Sequence, residues 1–181
     1  MSVDVEPDAI SALLDLLDQS RLTYVVIGGH AVNAWLEPRF TADIDVTLQA
    51  DPDGMARLKE ILAARGYRVT REHGAELPSG PDFVRFVSDR ASVTLEVQTA
   101  KTEFQRECLR RAAASGRTPR IATAEDLIVL KLIAGRPKDE IDLLGLVRLD
   151  GLDWSYIERW AAAWEVADRL RAVRIAAARG I

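Results

Sequence analysis

Two aspartates one residue apart in a strand-like stretch constrain this chain more than any other feature of its sequence. In "DIDVTLQ", residues 43–49, apolar and polar residues alternate, so the apolar ones share one face of a predicted strand. Asp43 and Asp45 share the opposite face, where like charges repel each other and lower the β-propensity. The pattern therefore predicts a positively charged partner, such as a metal ion, at this face.

A pair of glycines, Gly28 and Gly29, lies between a predicted buried strand, "TYVVI", and "HAVNAWL", which has helical character up to Pro38. Glycine lacks a Cβ, so phosphate oxygens can approach backbone N–H groups and the positive end of a helix there. Oxygen ligands on alternate strand positions, about 6 to 7 Å apart, suit Mg²⁺ that also contacts substrate phosphates. Residues 25–46 thus predict a phosphate site beside a metal site. The alternative is a strand end followed by a solvated acidic face.

The order of the predicted elements favours an α+β fold. Helices are predicted at 8–19 and 55–65, and strands at 67–72, 82–88 and 92–98, the last two joined by a hairpin turn at Asp89 and Arg90. From Glu103 onward nearly every stretch has helical periodicity. We therefore predict an α/β core at 1–102 and a helical region at 103–181 packed on it.

Composition limits the classes of function. The chain has 181 residues, of which 48% are hydrophobic, enough for one core and a small helical unit. Its net charge of -4 gives no overall attraction to nucleic acid. A single cysteine, Cys108, excludes an internal disulfide and suits a reducing cytoplasm. Because neither a signal peptide nor a membrane-spanning run is recognisable, we expect a cytoplasmic protein without membrane contact.

Three stretches together resemble the nucleotidyltransferases of the DNA polymerase β superfamily: "GGHAVNAWLEPRFTADIDV", "VTLEVQTAKTEFQRECLRRA" and "TAEDLIVLKLIAGRPKDEIDL". Gly-Gly followed by Arg-x-Thr-x-Asp-x-Asp is similar to the bacterial branch that includes the AbiEii-type toxins of type IV toxin–antitoxin systems. The resemblance covers about residues 20–145. It implies a mixed sheet flanked by helices, a helical C-terminal part, and transfer of a nucleoside monophosphate from an NTP.

Within this resemblance, Asp43 and Asp45 are the expected ligands of two Mg²⁺ ions about 3.5 to 4 Å apart. The family usually carries a third carboxylate, an aspartate, on a neighbouring strand, where this chain has Glu96 in "TLEVQ". Glu96 is the candidate third ligand or general base, although its side chain is one methylene longer. An ordinary surface glutamate is the competing interpretation.

The resemblance also implies nucleotide contacts by residues outside the acidic pair. Phosphate contact is expected at Gly28 and Gly29, and Arg39 and Thr41 match the Arg-x-Thr of the family. Lys131 lies on an otherwise apolar helical stretch, so it either complements phosphate charge or extends its amine to solvent. The remaining nucleotide-binding candidates are Lys138 and Asp139; for Asp139, and for the nearby Asp142, helix capping is the competing interpretation.

The acceptor of the nucleotide is open at this stage. An RNA such as tRNA, or a protein, fits the resemblance, together with an antitoxin partner. A basic cluster, Arg106, Arg110, Arg111, Arg117 and Arg120, could contact RNA or be a solvated face. A small-molecule acceptor is the first alternative, since antibiotic nucleotidyltransferases share the Gly-Gly and acidic-pair arrangement. A non-catalytic nucleotide-binding module is the second.

Overall fold

Five strands form one mixed sheet in the computed structural model, which describes residues 7–88, 93–116 and 119–179. The strands are β1 (Thr23–Ile27), β2 (Asp43–Gln49), β3 (Tyr67–His73), β4 (Phe83–Ser88) and β5 (Thr94–Thr99). Their order is β1-β2-β5-β4-β3, with β2 parallel to β5 and the other neighbouring pairs antiparallel. Hydrogen-bonded register partners on adjacent strands share a face, so this order decides which side chains can meet.

Helices flank the sheet and make up the C-terminal part. They are α1 (Pro7–Gln19), α2 (Gly28–Val32), α3 (Pro52–Ala63), α4 (Glu103–Ala114), α5 (Ala124–Ala134), α6 (Asp139–Leu146), α7 (Trp154–Ala163) and α8 (Ala167–Ala178). Helix α4 packs against β1 and β2, while α5 packs on α6 and α7, and α8 packs on α6 and α7. The predicted α+β class, the mixed sheet and the helical C-terminal part are confirmed.

Alternation along β2 places its apolar residues in the core. Ile44, Val46 and Leu48 are all buried, and the same alternation buries Leu95 and Val97 on β5. Fully burying one such side chain stabilises the fold by roughly 1.5 to 3 kcal/mol. The apolar face therefore fixes the register, and the remaining positions of both strands point to the opposite face of the sheet.

Helix α2 is shorter than its sequence indicates. The helical character predicted up to Pro38 ends at Val32, and the chain continues as turns and loop until β2 begins. The Asn33 amide holds this loop: its Nδ2 donates to the carbonyl oxygen of Arg39 at 2.7 Å, and its Oδ1 accepts from the Arg39 backbone N–H at 3.1 Å. One further i→i−4 hydrogen bond follows, from the Leu36 N–H to the Val32 carbonyl at 3.0 Å, before the chain leaves the helical path.

The helical region is attached to the sheet by more than packing. Residues 120–122 run beside β1, where the Val26 N–H donates to the Arg120 carbonyl at 2.8 Å and the Ala122 N–H to the Val26 carbonyl at 3.0 Å. Thr123 then caps α5, which ends at Gly135 in the left-handed conformation. The proposed boundary between residues 102 and 103 stays a prediction.

Strands β4 and β5 pair antiparallel up to Val87 and Thr94, whereas the predicted hairpin turn at Asp89 and Arg90 lies outside the described residues. None of the helices within 7–88, 93–116 and 119–179 is long and apolar enough to cross a bilayer.

Candidate functional site

Three carboxylates meet on the polar face of the sheet. Asp45 is the register partner of Glu96 on the parallel neighbour β5, and Asp43 lies two residues before Asp45 on the same side of β2. We call Asp43, Asp45 and Glu96 the acidic face. Asp43 exposes 46% of its side chain and Glu96 26%, so the face is open to ligands. The predicted third carboxylate is therefore placed beside the predicted pair.

The acidic face carries negative charge that no close cation balances fully. Burial, together with the negative charges of Glu96 and Asp43, raises the pKa of Asp45 to about 7, with the charge of Arg136 opposing them. Arg85 on β4 also contacts the acidic face, with its guanidinium 3.4 Å from Glu96 and 3.8 Å from Asp43. Such perturbation by burial and like charges in a cleft is typical of a functional site.

A close contact in the structure explains why each of the two positions carries glycine. Gly28 has a φ of +65°, a conformation that residues with a Cβ rarely adopt, and a Cβ there would run into the Asp45 carboxylate. At Gly29 an added Cβ would stand 2.9 Å from the Thr41 hydroxyl oxygen. The glycine pair therefore lets α2 start directly against the acidic face. Phosphate contact by these two residues stays a prediction.

A second set of charges borders the same space and is buried. Lys131 Nζ donates to Asp139 at 3.0 Å and to Asp142 at 2.6 Å, and all three side chains are almost fully inaccessible to solvent. We call Lys131, Asp139 and Asp142 the lysine cluster. Burial opposes ionisation of both aspartates, yet hydrogen bonds from their cationic neighbours lower the pKa of Asp139 to about 2 and also lower that of Asp142.

Two arginines extend the lysine cluster toward solvent. Arg39 contacts Asp142 through Nε at 3.1 Å and Nη2 at 2.7 Å. Arg136 contacts Asp139 in the same two-pronged way, through Nε at 2.7 Å and Nη2 at 3.2 Å. About half of each arginine side chain stays exposed. Because bidentate pairing fixes the guanidinium plane, each arginine presents its remaining N–H groups in a defined orientation.

All ten candidate residues named from the sequence line one pocket of about 510 Å³, the charged pocket. They are Gly28, Gly29, Arg39, Thr41, Asp43, Asp45, Glu96, Lys131, Lys138 and Asp139. Sequence reasoning did not assign a site role to Arg85, Arg136 or Asp142, which line it too. The alternation of "DFVRFVS" was the available signal for Arg85, since it places that residue opposite the buried Val84 and Phe86.

A smaller pocket of about 290 Å³ adjoins the charged pocket and shares five lining residues with it: Gly28, Asp45, Glu96, Lys131 and Arg136. Its other walls are mostly apolar and include Phe83 from β4 and Leu127 from α5. We call it the apolar pocket. The acidic face thus stands between a charged pocket and an apolar one, which is an arrangement able to hold two different groups against the same carboxylates.

The donor chemistry of the acidic face fits a hard divalent cation, because all its donors are carboxylate oxygens with unbalanced negative charge. In the part of the chain that the structure describes, however, no three or more His, Cys, Asp and Glu side chains converge as a metal-binding group. Mg²⁺ binding by Asp43, Asp45 and Glu96, and the two-ion arrangement, therefore stay predictions.

The predicted basic cluster is not a continuous free surface. Arg110 pairs with Glu107 through a hydrogen bond of 2.8 Å, and Arg111 is mostly buried, pairs with Glu125 at 2.9 Å and lies over the Tyr156 ring at 4.0 Å. Arg117 lies outside the described residues. Arg111 in particular holds α4 against α5 and α7.

Several solved structures share this fold. The solution structure of the antibiotic-resistance factor ANT(2'')-Ia has a TM-score of 0.54 at 20% identity, covering 96% of this chain and 94% of that one. Its crystal structure with adenylyl-2''-tobramycin has a TM-score of 0.52 at 21% identity, covering 95% and 96%. The crystal structure of an antigenic nucleotidyltransferase-like protein from Paracoccidioides brasiliensis has a TM-score of 0.55 at 16% identity, covering 96% of this chain and 93% of that one. These likenesses show the fold alone.

Over residues 8–177 the chain matches the family described as "Nucleotidyltransferase of unknown function (DUF6036)", and it belongs to that family. The resemblance to nucleotidyltransferases is thereby confirmed, while the narrower assignment to the AbiEii-type branch stays a prediction. No curated protein matches the chain.

Proposed function

We propose that this protein is a Mg²⁺-dependent nucleotidyltransferase that moves a nucleoside monophosphate from an NTP to an acceptor hydroxyl. The observation that carries the proposal is the acidic face, with its perturbed Asp45, between the charged and the apolar pocket. Asp43 and Asp45, with Glu96, would hold Mg²⁺. Bound there, Mg²⁺ would supply positive charge to the triphosphate and lower the pKa of the acceptor hydroxyl.

The charged pocket suits the triphosphate. Arg39, Arg136 and Lys138 give it three cationic side chains, and the two arginines are held in place by buried aspartates. Preorganised cations stabilise phosphate charge without reorganising during the reaction. Lys131 and Asp139 are nearly inaccessible and already paired, so we propose that they act by positioning these arginines. Direct nucleotide contact by Lys131 and Asp139 stays a prediction.

The reaction is an in-line displacement at the α-phosphorus. The acceptor oxygen forms a bond to that phosphorus, the bond to the bridging oxygen of the β-phosphate breaks, and pyrophosphate leaves. Glu96 borders both pockets and is the group we assign to accept the proton of the acceptor hydroxyl. Phe83 and Leu127 exclude water from the acceptor side of the carboxylates.

The apolar pocket favours a small hydroxyl compound, or the terminal group of a larger molecule, as the acceptor. Its volume of about 290 Å³ admits no more than that. An extended RNA surface is less supported, because Arg110 and Arg111 already pair within the protein. An RNA or protein acceptor, an antitoxin partner and a cytoplasmic location stay predictions of the resemblance.

The test supplies the purified protein with Mg²⁺, a cell extract and NTPs labelled at either the α- or the γ-phosphate. Label from the α-position enters an acceptor and label from the γ-position does not, which separates nucleotidyl from phosphoryl transfer. Separating the products into RNA, protein and small molecules identifies the acceptor class. Growth arrest on expression that Asp43→Ala relieves would support the toxin interpretation.

Asp45→Asn is the decisive variant, and Asp53→Asn is its matched control. Asp53 belongs to a second Asp-x-Asp, Asp51-Pro52-Asp53, where Asp51 caps α3 by accepting from the Gly54 N–H at 2.7 Å. We expect Asp45→Asn to lower label transfer at least about 10²- to 10³-fold, the cost of losing one electrostatic group at a reaction centre. Asp53→Asn leaves transfer unchanged. If Asp45→Asn transfers label and binds Mg²⁺–NTP like the wild type, the proposal fails.

A further inference from the structure

Arg85 lies on the polar face of the sheet and contacts two carboxylates of opposite charge. The register places it directly beside Glu96, since β4 pairs Arg85 with Glu96 just as β5 pairs Glu96 with Asp45. Its guanidinium spans the acidic face, with contacts of 3.4 Å to Glu96 and 3.8 Å to Asp43. Arg85 therefore contacts two of the three carboxylates that the proposed function assigns as Mg²⁺ ligands.

The ion-pair contacts of Arg85 are long, so a competing cation can replace them. Both distances exceed those of charge-assisted hydrogen bonds, about 2.7 to 2.9 Å, and 37% of the side chain is exposed. Exposed ion pairs of this kind contribute little to stability. The ion pairs of the lysine cluster are shorter, since the buried Lys131 Nζ lies 2.6 Å from Asp142 and 3.0 Å from Asp139. Arg85 is held near the carboxylates without being locked to them.

A guanidinium and a divalent cation compete for the same carboxylates. Two positive charges close together repel, and the repulsion persists at a partly exposed site. A metal ion entering the acidic face must therefore displace Arg85 or bind against its charge. In the absence of metal, the same arginine offsets part of the repulsion among Asp43, Asp45 and Glu96.

We propose that Arg85 is a built-in counter-ion that competes with divalent metal for the acidic face and thereby sets the metal concentration at which the site fills. Arg85 is a positioning residue, because it acts through the carboxylates. The inference rests on the proposed function, since it requires the acidic face to bind metal.

The experiment measures metal binding to the free protein, without nucleotide or acceptor. Mn²⁺ is the probe, followed by electron paramagnetic resonance of the free ion, and Mg²⁺ binding is measured by calorimetry. Arg85→Met removes the charge and keeps an unbranched apolar side chain. We expect the dissociation constant for Mn²⁺ to fall about tenfold, as removal of one nearby positive charge predicts. Arg85→Lys keeps the charge and stays within about threefold of the wild type.

Arg71→Met is the matched control. Arg71 pairs with Arg85 across β3 and β4, but its guanidinium bonds to His73 at 2.7 Å and lies over the Phe83 ring at 5.9 Å. The variant changes the net charge by the same amount one strand further from the carboxylates, where screening weakens its effect. We expect less than about a threefold change in the dissociation constant for Mn²⁺. Circular dichroism and thermal unfolding establish that each variant is folded.

The outcomes separate this inference from the proposed function. If Asp45→Asn loses metal binding while Arg85→Met binds Mn²⁺ no more tightly than Arg71→Met, the counter-ion role is wrong and the metal site stands. A wild-type protein that binds neither metal ion, or an Asp45→Asn variant that binds them unchanged, overturns both. Tighter binding in Arg85→Met alone supports the inference.

Discussion

The acidic face and the lysine cluster border one pocket and treat carboxylate charge in opposite ways. On the acidic face, burial and neighbouring carboxylates raise the pKa of Asp45 to about 7 despite the opposing charge of Arg136, and Arg85 contacts the other two acids only loosely. In the lysine cluster, Asp139 and Asp142 are buried, and each accepts hydrogen bonds from Lys131 and one arginine. One set of acids is left unbalanced, whereas the other is neutralised internally.

This contrast indicates which acids are available to bind a ligand. Buried ion pairs cost desolvation energy and are expensive to break, so their role is to fix geometry. Unbalanced acids beside a cleft store repulsion that a cation from solution can relieve. We infer that the lysine cluster joins α5 to α6 and orients Arg39 and Arg136, while the acidic face is left for metal and substrate.

The largest effect is expected from Lys131→Met, which removes the cation that the two buried aspartates share. Each aspartate keeps one arginine, but the centre of the cluster loses its positive charge. Breaking a buried pair in this way typically destabilises a protein by about 3 to 5 kcal/mol. Urea unfolding followed by circular dichroism measures the change in the free energy of unfolding.

Lys138→Met is the control for this prediction, because Lys138 is exposed and lines the same pocket. Surface substitutions of this kind usually stay within about 0.5 kcal/mol. Adding Asp142→Asn to Lys131→Met removes one of the two buried carboxylates that have lost the lysine and restores part of the lost stability. Equal unfolding midpoints for Lys131→Met and Lys138→Met would show that the lysine cluster does not hold the helices together.

The next effect is a pH dependence of opposite sign in the two regions. The folded-state pKa of Asp45 is raised from 3.8 to about 7, so the folded protein binds its proton more tightly than the unfolded chain does. Its contribution to stability is present below pH 4 and is lost as the pH rises to about 7. The melting temperature of Asp45→Asn, relative to that of the wild type, should therefore rise between pH 4 and about pH 7. A constant difference would contradict the raised pKa.

The lysine cluster gives the reverse trend. The pKa of Asp139 is lowered to about 2, so its contribution is present above pH 4 and is lost as the pH falls toward 2. Asp139→Asn should lose stability relative to the wild type at neutral pH, and the deficit should shrink below pH 4. The same melting series therefore tests both regions with one asparagine variant in each.

The acidic face could be predicted from the sequence because its signal is local. Strand alternation set the side of Asp43 and Asp45, and the same alternation in "TLEVQ" set that of Glu96. That β2 and β5 lie side by side and parallel depends on the whole sheet, so the meeting of the three acids rested on the resemblance. The loop after α2 was missed because it is held by the Asn33 side chain, which bonds to a residue six positions away.

The lysine cluster could not be predicted, because its contacts join helices. Asp139 and Asp142 lie in the first turn of α6, where acids also stabilise a helix without tertiary partners. Their pairing with Lys131 requires α6 to fold back on α5, which the left-handed Gly135 between them permits. Spacing in the sequence does not distinguish a capping acid from a buried one.

The smallest expected effect on stability comes from Arg39→Met, which sharpens the boundary between the two regions. Arg39 is about half exposed, and Asp142 keeps Lys131 when the arginine is gone, so we expect a loss of no more than about 1 kcal/mol. The affinity for Mg²⁺–NTP should fall about tenfold, because one oriented charge-assisted contact to phosphate is lost. Arg57→Met, an exposed arginine on α3, is the control and should change neither quantity. Nucleotide titration and urea unfolding of the same samples measure both; a large loss of stability with unchanged affinity would place Arg39 in the structural cluster and outside the nucleotide site.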